Sequence, residues 1–166
     1  MKKITARSVA FFNGDFFYVV TQSIGMLSYP EPSADPHFLP PDVDDATLGR
    51  TLRLALSLSR SVDSEEFQRL WKSGDIQKIE DSRDAWAMNE YGYKTKRAMR
   101  RNMNCCWISV SEGEVQVKPT HHKSLDTYTG ISNDGPEILH VPELASDAEL
   151  GAALREGFQR CTSAVK

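Results

Sequence analysis

The dipeptide Asn13-Gly14 stands between two apolar runs, Ile4 to Phe12 and Phe16 to Thr21. Asn-Gly between aromatic and β-branched residues is the strongest short hairpin signal, because a type I′ turn needs positive φ at both central positions. Phe11, Phe12, Phe16, Phe17 and Tyr18 make this hairpin too apolar to stand alone in water. It has to lie inside a larger sheet.

The remaining pattern supplies that sheet and its cover. Cys105, Cys106, Trp107, Ile108 and Val110 read as a strand, Glu112-Gly113 as a turn, and Val115 to Lys118 as the returning strand, closed by Pro119. Glu137 to Val141 reads as a last strand, after a polar, turn-rich stretch from His121 to Gly135. A helix from Asp44 or Asp45 to Ser61 carries Leu48, Leu52, Leu54, Ala55, Leu56 and Leu58 over more than half its circumference, so it is expected to be covered on two sides. Ser64 to Lys72 reads as a short helix capped by Ser64, with Phe67, Leu70 and Trp71 inward and Ser73-Gly74 as its stop. Asp75 to Asn89 reads as a peripheral helix or an irregular segment. The final helix is capped by Ser146 or Asp147 and carries the stripe Leu150, Ala153, Leu154, Gly157, Phe158, Cys161 and Val165. The expected fold is a single α+β domain spanning 1–166. It has a mostly antiparallel sheet of two hairpins plus at least one further strand, two main helices, and shorter peripheral helices.

One internal echo stands out. Asp45 to Arg53 (DATLGRTLR) and Asp147 to Arg155 (DAELGAALR) agree at six of nine positions. Glycine within a helix costs about 1 kcal/mol relative to alanine. A glycine at the same turn of both helices therefore indicates close packing, against the sheet or against each other.

Composition narrows the function. A formal net charge of −3 disfavours general affinity for nucleic acid and suits a basic partner. Three cysteines without CxxC spacing read as small buried residues in a reducing compartment. The N-terminal stretch lacks an adequate apolar core for a signal peptide, and no run approaches the ~18 apolar residues of a membrane span, so a cytoplasmic protein is expected. His121-His122 lacks a metal-ligand spacing, and no phosphate-binding or nucleophile-elbow motif occurs. No catalytic, cofactor or metal residue is assigned.

Tyr91 to Val110 changes period halfway, from a helix over Tyr93–Asn102 to a strand. The helix gathers Lys94, Lys96, Arg97, Arg100 and Arg101 on one side, opposite Thr95, Ala98, Met99 and Asn102. Three readings follow: a face paired with the chain's own acids, a cluster that steers a partner, or a grip on nucleic acid. The net acidity disfavours the last.

The segments ARSVAFFNGDFFYVV, FLPPDVDDATLG, GYKTKRAMRRNM, PTHH and ELGAALREGFQRC resemble the CdiI-type immunity proteins of bacterial contact-dependent growth inhibition, a group formerly catalogued as a domain of unknown function. The resemblance spans nearly the whole chain and fades through Val62–Met88 and Lys123–Pro136. It implies a non-enzymatic bacterial protein that binds and neutralises the toxic C-terminal domain, often a nuclease, of a large exported inhibitor protein. Alone it would be a monomer or weak dimer, without direct contact to nucleic acid or membrane.

The expected toxin-binding residues are acidic and lie in or near the stretches least like the family: Glu31, Asp35, Asp42, Asp44, Asp45, Glu80, Asp81 and Asp84. Glu31 and Asp35 belong to a proline-rich loop from Met26 to Pro41. Lys94, Lys96, Arg97, Arg100 and Arg101 are assigned to the scaffold. The alternative is a small nucleic-acid-processing enzyme that uses the basic residues of 94–101 with His121 or His122, or an RNA-binding adaptor that uses the same basic residues.

Overall fold

The computed structural model describes residues 3–166. Its first two strands, β1 (Ile4–Phe12) and β2 (Phe17–Ile24), pair antiparallel with Phe12 opposite Phe17. The connection is longer than the expected two-residue type I′ turn, and only Gly14 has positive φ. Asn13 explains the difference. Its Oδ1 accepts from the backbone N–H of Asp15 at 3.0 Å and of Phe16 at 3.3 Å, an Asx turn that satisfies the loop without a left-handed asparagine. The type I′ signature appears instead at Glu112 (φ 49) and Gly113 (φ 79).

The chain continues through β3 (Ser28–Pro30), β4 (His37–Leu39), β5 (Asn104–Ser111), β6 (Glu114–Ser124), β7 (Thr127–Gly130), β8 (Leu139–Pro142) and β9 (Thr162–Ser163). The sheet order is β3-β2-β1-β5-β6-β7, with β4 also on β2, and β8 and β9 also on β6. All these ladders are antiparallel except β6 with β9. The proline-rich loop thus contains two short strands.

Pro119 does not close the second hairpin, because β6 runs through it. It sits where β6 exchanges neighbours: β5 pairs up to Pro119, and β7 starts at Thr120. A residue without a backbone donor is tolerated at such a changeover. His121 and His122 consequently lie in a strand rather than in a turn-rich loop.

The helices are α1 (Asp45–Ser57), α2 (Ser64–Ser73), α3 (Asp75–Tyr91), α4 (Lys96–Arg100) and α5 (Asp147–Gln159). Asp44, Asp63, Thr95 and Ser146 cap α1, α2, α4 and α5 through their side chains. Asp63, not Ser64, therefore caps α2. Gly74, in the left-handed conformation, ends α2 and begins α3. α1 stops before the expected Ser61. It leaves Leu54 49% exposed, so it is covered less completely than its leucine content indicated. Trp71 likewise points outward, 58% exposed.

The echo between α1 and α5 is a reciprocal contact. A Cβ on Gly49 would lie 1.8 Å from the Asp147 carbonyl oxygen, and one on Gly151 would lie 1.8 Å from that of Asp45. Each glycine therefore receives the first turn of the other helix. Arg53 Nε bonds Asp147 at 3.0 Å, and Arg155 Nε bonds Asp45 at 2.6 Å. Arg53 also donates to the carbonyls of Glu143 (2.6 Å) and Ala145 (2.7 Å), and Arg155 donates to that of Val43. The pair packs Leu48, Leu52, Leu150 and Leu154 onto Ala10, Phe17, Val19, Cys106, Ile108 and Val117 of the sheet, forming the main core.

The opposite face of the sheet is covered by α3 and α4. Alternation along β1 and β2 sends Phe11 and Tyr18 to this side, where Phe16, Ala87, Met99 and Met103 form a second, smaller core. α3 is a regular 17-residue helix, longer than either main helix, yet it buries only Ile76 and Ala87. Its cover is incomplete.

Candidate functional site

The incomplete cover leaves a groove between α3 and the strands. One cavity of about 200 Å³ is lined by Phe11, Tyr18, Arg83, Arg100 and Tyr128 among others. A second, of about 330 Å³, continues past Tyr18, Glu80 and Arg83 to Val20, Tyr29 and Trp71. Around the edge of α3 a shallower hollow of about 440 Å³ is lined by Asp35, Pro36, Phe38, Ser82, Arg83 and Trp86.

Aromatic packing fixes the walls. Phe38 stacks on Tyr18 with centroids 4.5 Å apart and also packs against Trp86 at 4.6 Å. Trp86 remains 49% exposed, held in place by Phe38 and Tyr91. A large apolar side chain with a fixed orientation and open surface is a suitable binding anchor. Arg83 ties the groove to the β3–β4 segment by donating to the Ala34 carbonyl at 2.7 Å, while its Nη1 is buried without a protein partner.

Electrostatics sort the expected acids into three groups. Glu31 is buried, 1% exposed, and is removed from the surface it was assigned to. Its carboxylate accepts from Arg60 Nε (2.6 Å), Ser23 Oγ (2.9 Å), and Ser33 N (2.9 Å) and Oγ (2.6 Å). Burial alone would raise its pKa, but these bonds outweigh burial and hold it below the usual glutamate value. The proline-rich sequence gives no sign of this, because Arg60 lies 29 residues away.

Asp42 and Asp44 are exposed at the start of α1, with Asp44 occupied as its cap, and Asp45 is engaged by Arg155. Glu80, Asp81 and Asp84 gather on α3, with Glu80 and Asp84 lining the groove, whereas Asp35 lines the separate hollow at Trp86. Asp84 is half-buried between Arg100 and Lys96; burial raises its pKa despite both cations. Burial, then the neighbouring Asp84, raises that of Glu80. Burial pushes the Tyr18 hydroxyl up to about 12, so it remains protonated in the wall.

The basic run is paired within the protein at two of its five cations, Lys96 and Arg100. Only Lys96–Arg100 is helical, shorter than the expected Tyr93–Asn102, and of the side opposite the cations Met99 is buried while Thr95, Ala98 and Asn102 are exposed. Arg100 bridges Asp84 and Asp126, Lys96 lies 3.9 Å from both Asp81 and Asp84, and Arg97 donates to the Lys166 carbonyl at 2.9 Å. Lys94 and Arg101 are exposed.

The two histidines do not form a pair. His122 is buried, stacked on Tyr128 at 4.3 Å and bonded to the Leu125 carbonyl at 3.0 Å, whereas His121 meets Thr162 at 2.7 Å. Among the described residues no group of three potential metal ligands assembles, and no helix is long and apolar enough to cross a membrane. Trp86, Arg83 and Tyr18 were absent from the expected site. Their clearest sequence signal is the lone tryptophan in an otherwise polar, acidic segment.

Residues 7–161 match the family model described as CDI immunity protein. The immunity protein CdiI-YPIII of Yersinia pseudotuberculosis serotype O:3 (strain YPIII) is 32% identical over 161 residues, covering 90% of this chain and 91% of the relative. Among solved structures, a CdiA-CT/CdiI toxin and immunity complex from Y. pseudotuberculosis matches with a TM-score of 0.85 and 28% identity. That match covers 96% of this chain and 100% of the other. A protein of unknown function from Neisseria meningitidis matches with the same TM-score and identity, covering 94% of both chains. This chain belongs to the CDI immunity protein family.

Proposed function

We propose that this protein acts in the cytoplasm by binding and neutralising the C-terminal toxin domain of a cognate exported inhibitor protein, without catalysing a reaction itself. The carrying observation is the whole-chain likeness to an immunity protein seen with its toxin. The proposed contact surface is the outer side of α3 and the adjoining β3–β4 segment, with Trp86 as anchor, Asp35 beside it and the exposed Asp81 farther along α3. Exposed carboxylates beside a fixed aromatic suit a basic protein domain, such as a nuclease: the charges steer the encounter and the tryptophan slows dissociation. Asp42 and Asp44 form a second acidic group at α1, on the opposite layer of the fold, and belong to the same proposal as a subsidiary contact.

The test is co-expression with the toxin domain encoded beside this protein. Protection of the cells and co-purification of the pair are expected. A toxin that still kills, with no complex recovered, would refute the function. A complex whose affinity is untouched by Trp86→Ala would refute the surface alone.

A further inference from the structure

Gly157 and Cys161 lie one helical turn apart at the end of α5. Without a side chain at Gly157 the helix settles onto the sheet so closely that a Cβ there would stand 3.1 Å from Cys106 Sγ. That approach places Cys161 Sγ 3.9 Å from Cys106 Sγ, and both are free thiols. Cys106 is fully buried in the central strand, whereas Cys161 is only partly covered. Cys105, although adjacent to Cys106, points to the other face, and only its carbonyl meets Cys161, at 3.3 Å.

We propose that Cys161 and Cys106 form a peroxide-responsive thiol pair, with Cys161 the attacking sulfur and Cys106 the resolving one. Burial pushes the Cys106 thiol up, and the hydrogen bond it gives Cys161 draws the Cys161 thiol down. The more accessible sulfur is thus also the better source of thiolate. Its thiolate attacks one oxygen of hydrogen peroxide or an alkyl hydroperoxide. The O–O bond breaks, water or alcohol leaves, and Cys161 becomes a sulfenic acid. Cys106 sulfur then attacks Cys161 sulfur, the S–O bond breaks, and the Cys106 proton goes to the departing hydroxide as water. Two thiols lose two electrons in all, and the peroxide gains them.

The sulfurs have to close from 3.9 Å to a bond of about 2.05 Å. Cys161 is the side able to move, since it follows the last turn of α5 and leads into the two-residue strand β9. The bond would fasten the C-terminal segment to the central strand.

The full-length folded protein, treated with stoichiometric hydrogen peroxide, alkylated and digested without reductant, tests this. The expected product joins the tryptic peptide beginning at Asn102 to Cys161–Lys166, lighter by two hydrogens than the separate pair. It persists in Cys105→Ser and is lost in Cys106→Ser, where dimedone instead traps a sulfenic acid on Cys161. A link that survives Cys106→Ser, a disulfide between two molecules through Cys161, or no link before the thiols overoxidise would each overturn the proposal. A folded Cys106→Ala variant serves the same comparison if serine disturbs the core.

Discussion

Replacing Gly49 by alanine sets two effects against each other, and the α1–α5 contact decides between them. Helix propensity alone favours alanine by about 1 kcal/mol. The new Cβ, however, would stand 1.8 Å from the Asp147 carbonyl oxygen and 2.7 Å from its carbon. Carbon and oxygen need about 3.3 Å, so the helices would have to part by about 1.5 Å. Both clashing atoms are backbone, and no side-chain rotation relieves them. Parting also stretches the Arg53–Asp147 and Arg155–Asp45 bonds and loosens Leu48 against Leu150. Overpacking of this kind costs about 1–3 kcal/mol or more, and the lost contacts add to it. Gly49→Ala is expected to be destabilising by about 2–3 kcal/mol net, lowering the melting temperature by about 5–10 °C for a chain of this size. Gly151→Ala should match it, because its clash with Asp45 has the same 1.8 Å geometry. The double variant should cost clearly less than the sum, since the separation forced by one methyl accommodates the other. Thermal melts followed by circular dichroism, with urea titrations for free energies, measure all three. A neutral or stabilised Gly49→Ala, or strictly additive losses, would refute the reciprocal contact.

At the buried acid, Glu31→Gln removes the charge that binds Arg60 and is expected to cost about 2–3 kcal/mol. Because the native pKa of Glu31 lies below the usual 4.5, its stabilisation is complete above pH 4.5 and is lost as the pH falls through the lowered value. The gap between wild type and Glu31→Gln in urea melts should therefore narrow below pH 4.5, and a constant gap would contradict it. Trp86→Ala should weaken toxin-domain binding by about 2 kcal/mol, mainly through faster dissociation, with a smaller loss of stability from its contacts with Phe38 and Tyr91; surface plasmon resonance and thermal melts measure the two. Asp35→Lys with Asp81→Lys should slow association and flatten its salt dependence more than Asp42→Lys does, and the reverse order would move the contact to α1. Glu112→Gly should raise stability by about 0.5–1 kcal/mol by relieving a side chain held at φ 49, and an unchanged melt would show that no strain resides there.

The hairpins, the capped helices and the apolar stripe of α5 were legible because each follows from a local signal: alternation, a capping side chain, or a 3.6-residue repeat. Local signals also misled where a side chain found a distant partner or an unexpected role. Asn13 used its amide oxygen to build a longer turn, and Pro119 passed through a strand because neighbours change there. α3 was hard to recognise because it packs through scattered contacts, burying only Ile76 and Ala87 of its length. The candidate surface suffered most from this. Counting acids in a loop treats Glu31 and Asp35 alike, yet one is sealed under Arg60 while the other stands beside Trp86.

The fate of the basic run follows from the same bookkeeping of partners. Arg100 accounts for Asp84 and Asp126, Lys96 lies near Asp81 and Asp84, and Arg97 reaches the C-terminal Lys166. These cations bind α3, the β6–β7 turn and the chain's end around the short helix α4, which has too few residues to hold its place by helix formation alone. Lys96 and Arg100 are therefore the cations of the run that pair with acids, while Lys94 and Arg101 remain exposed.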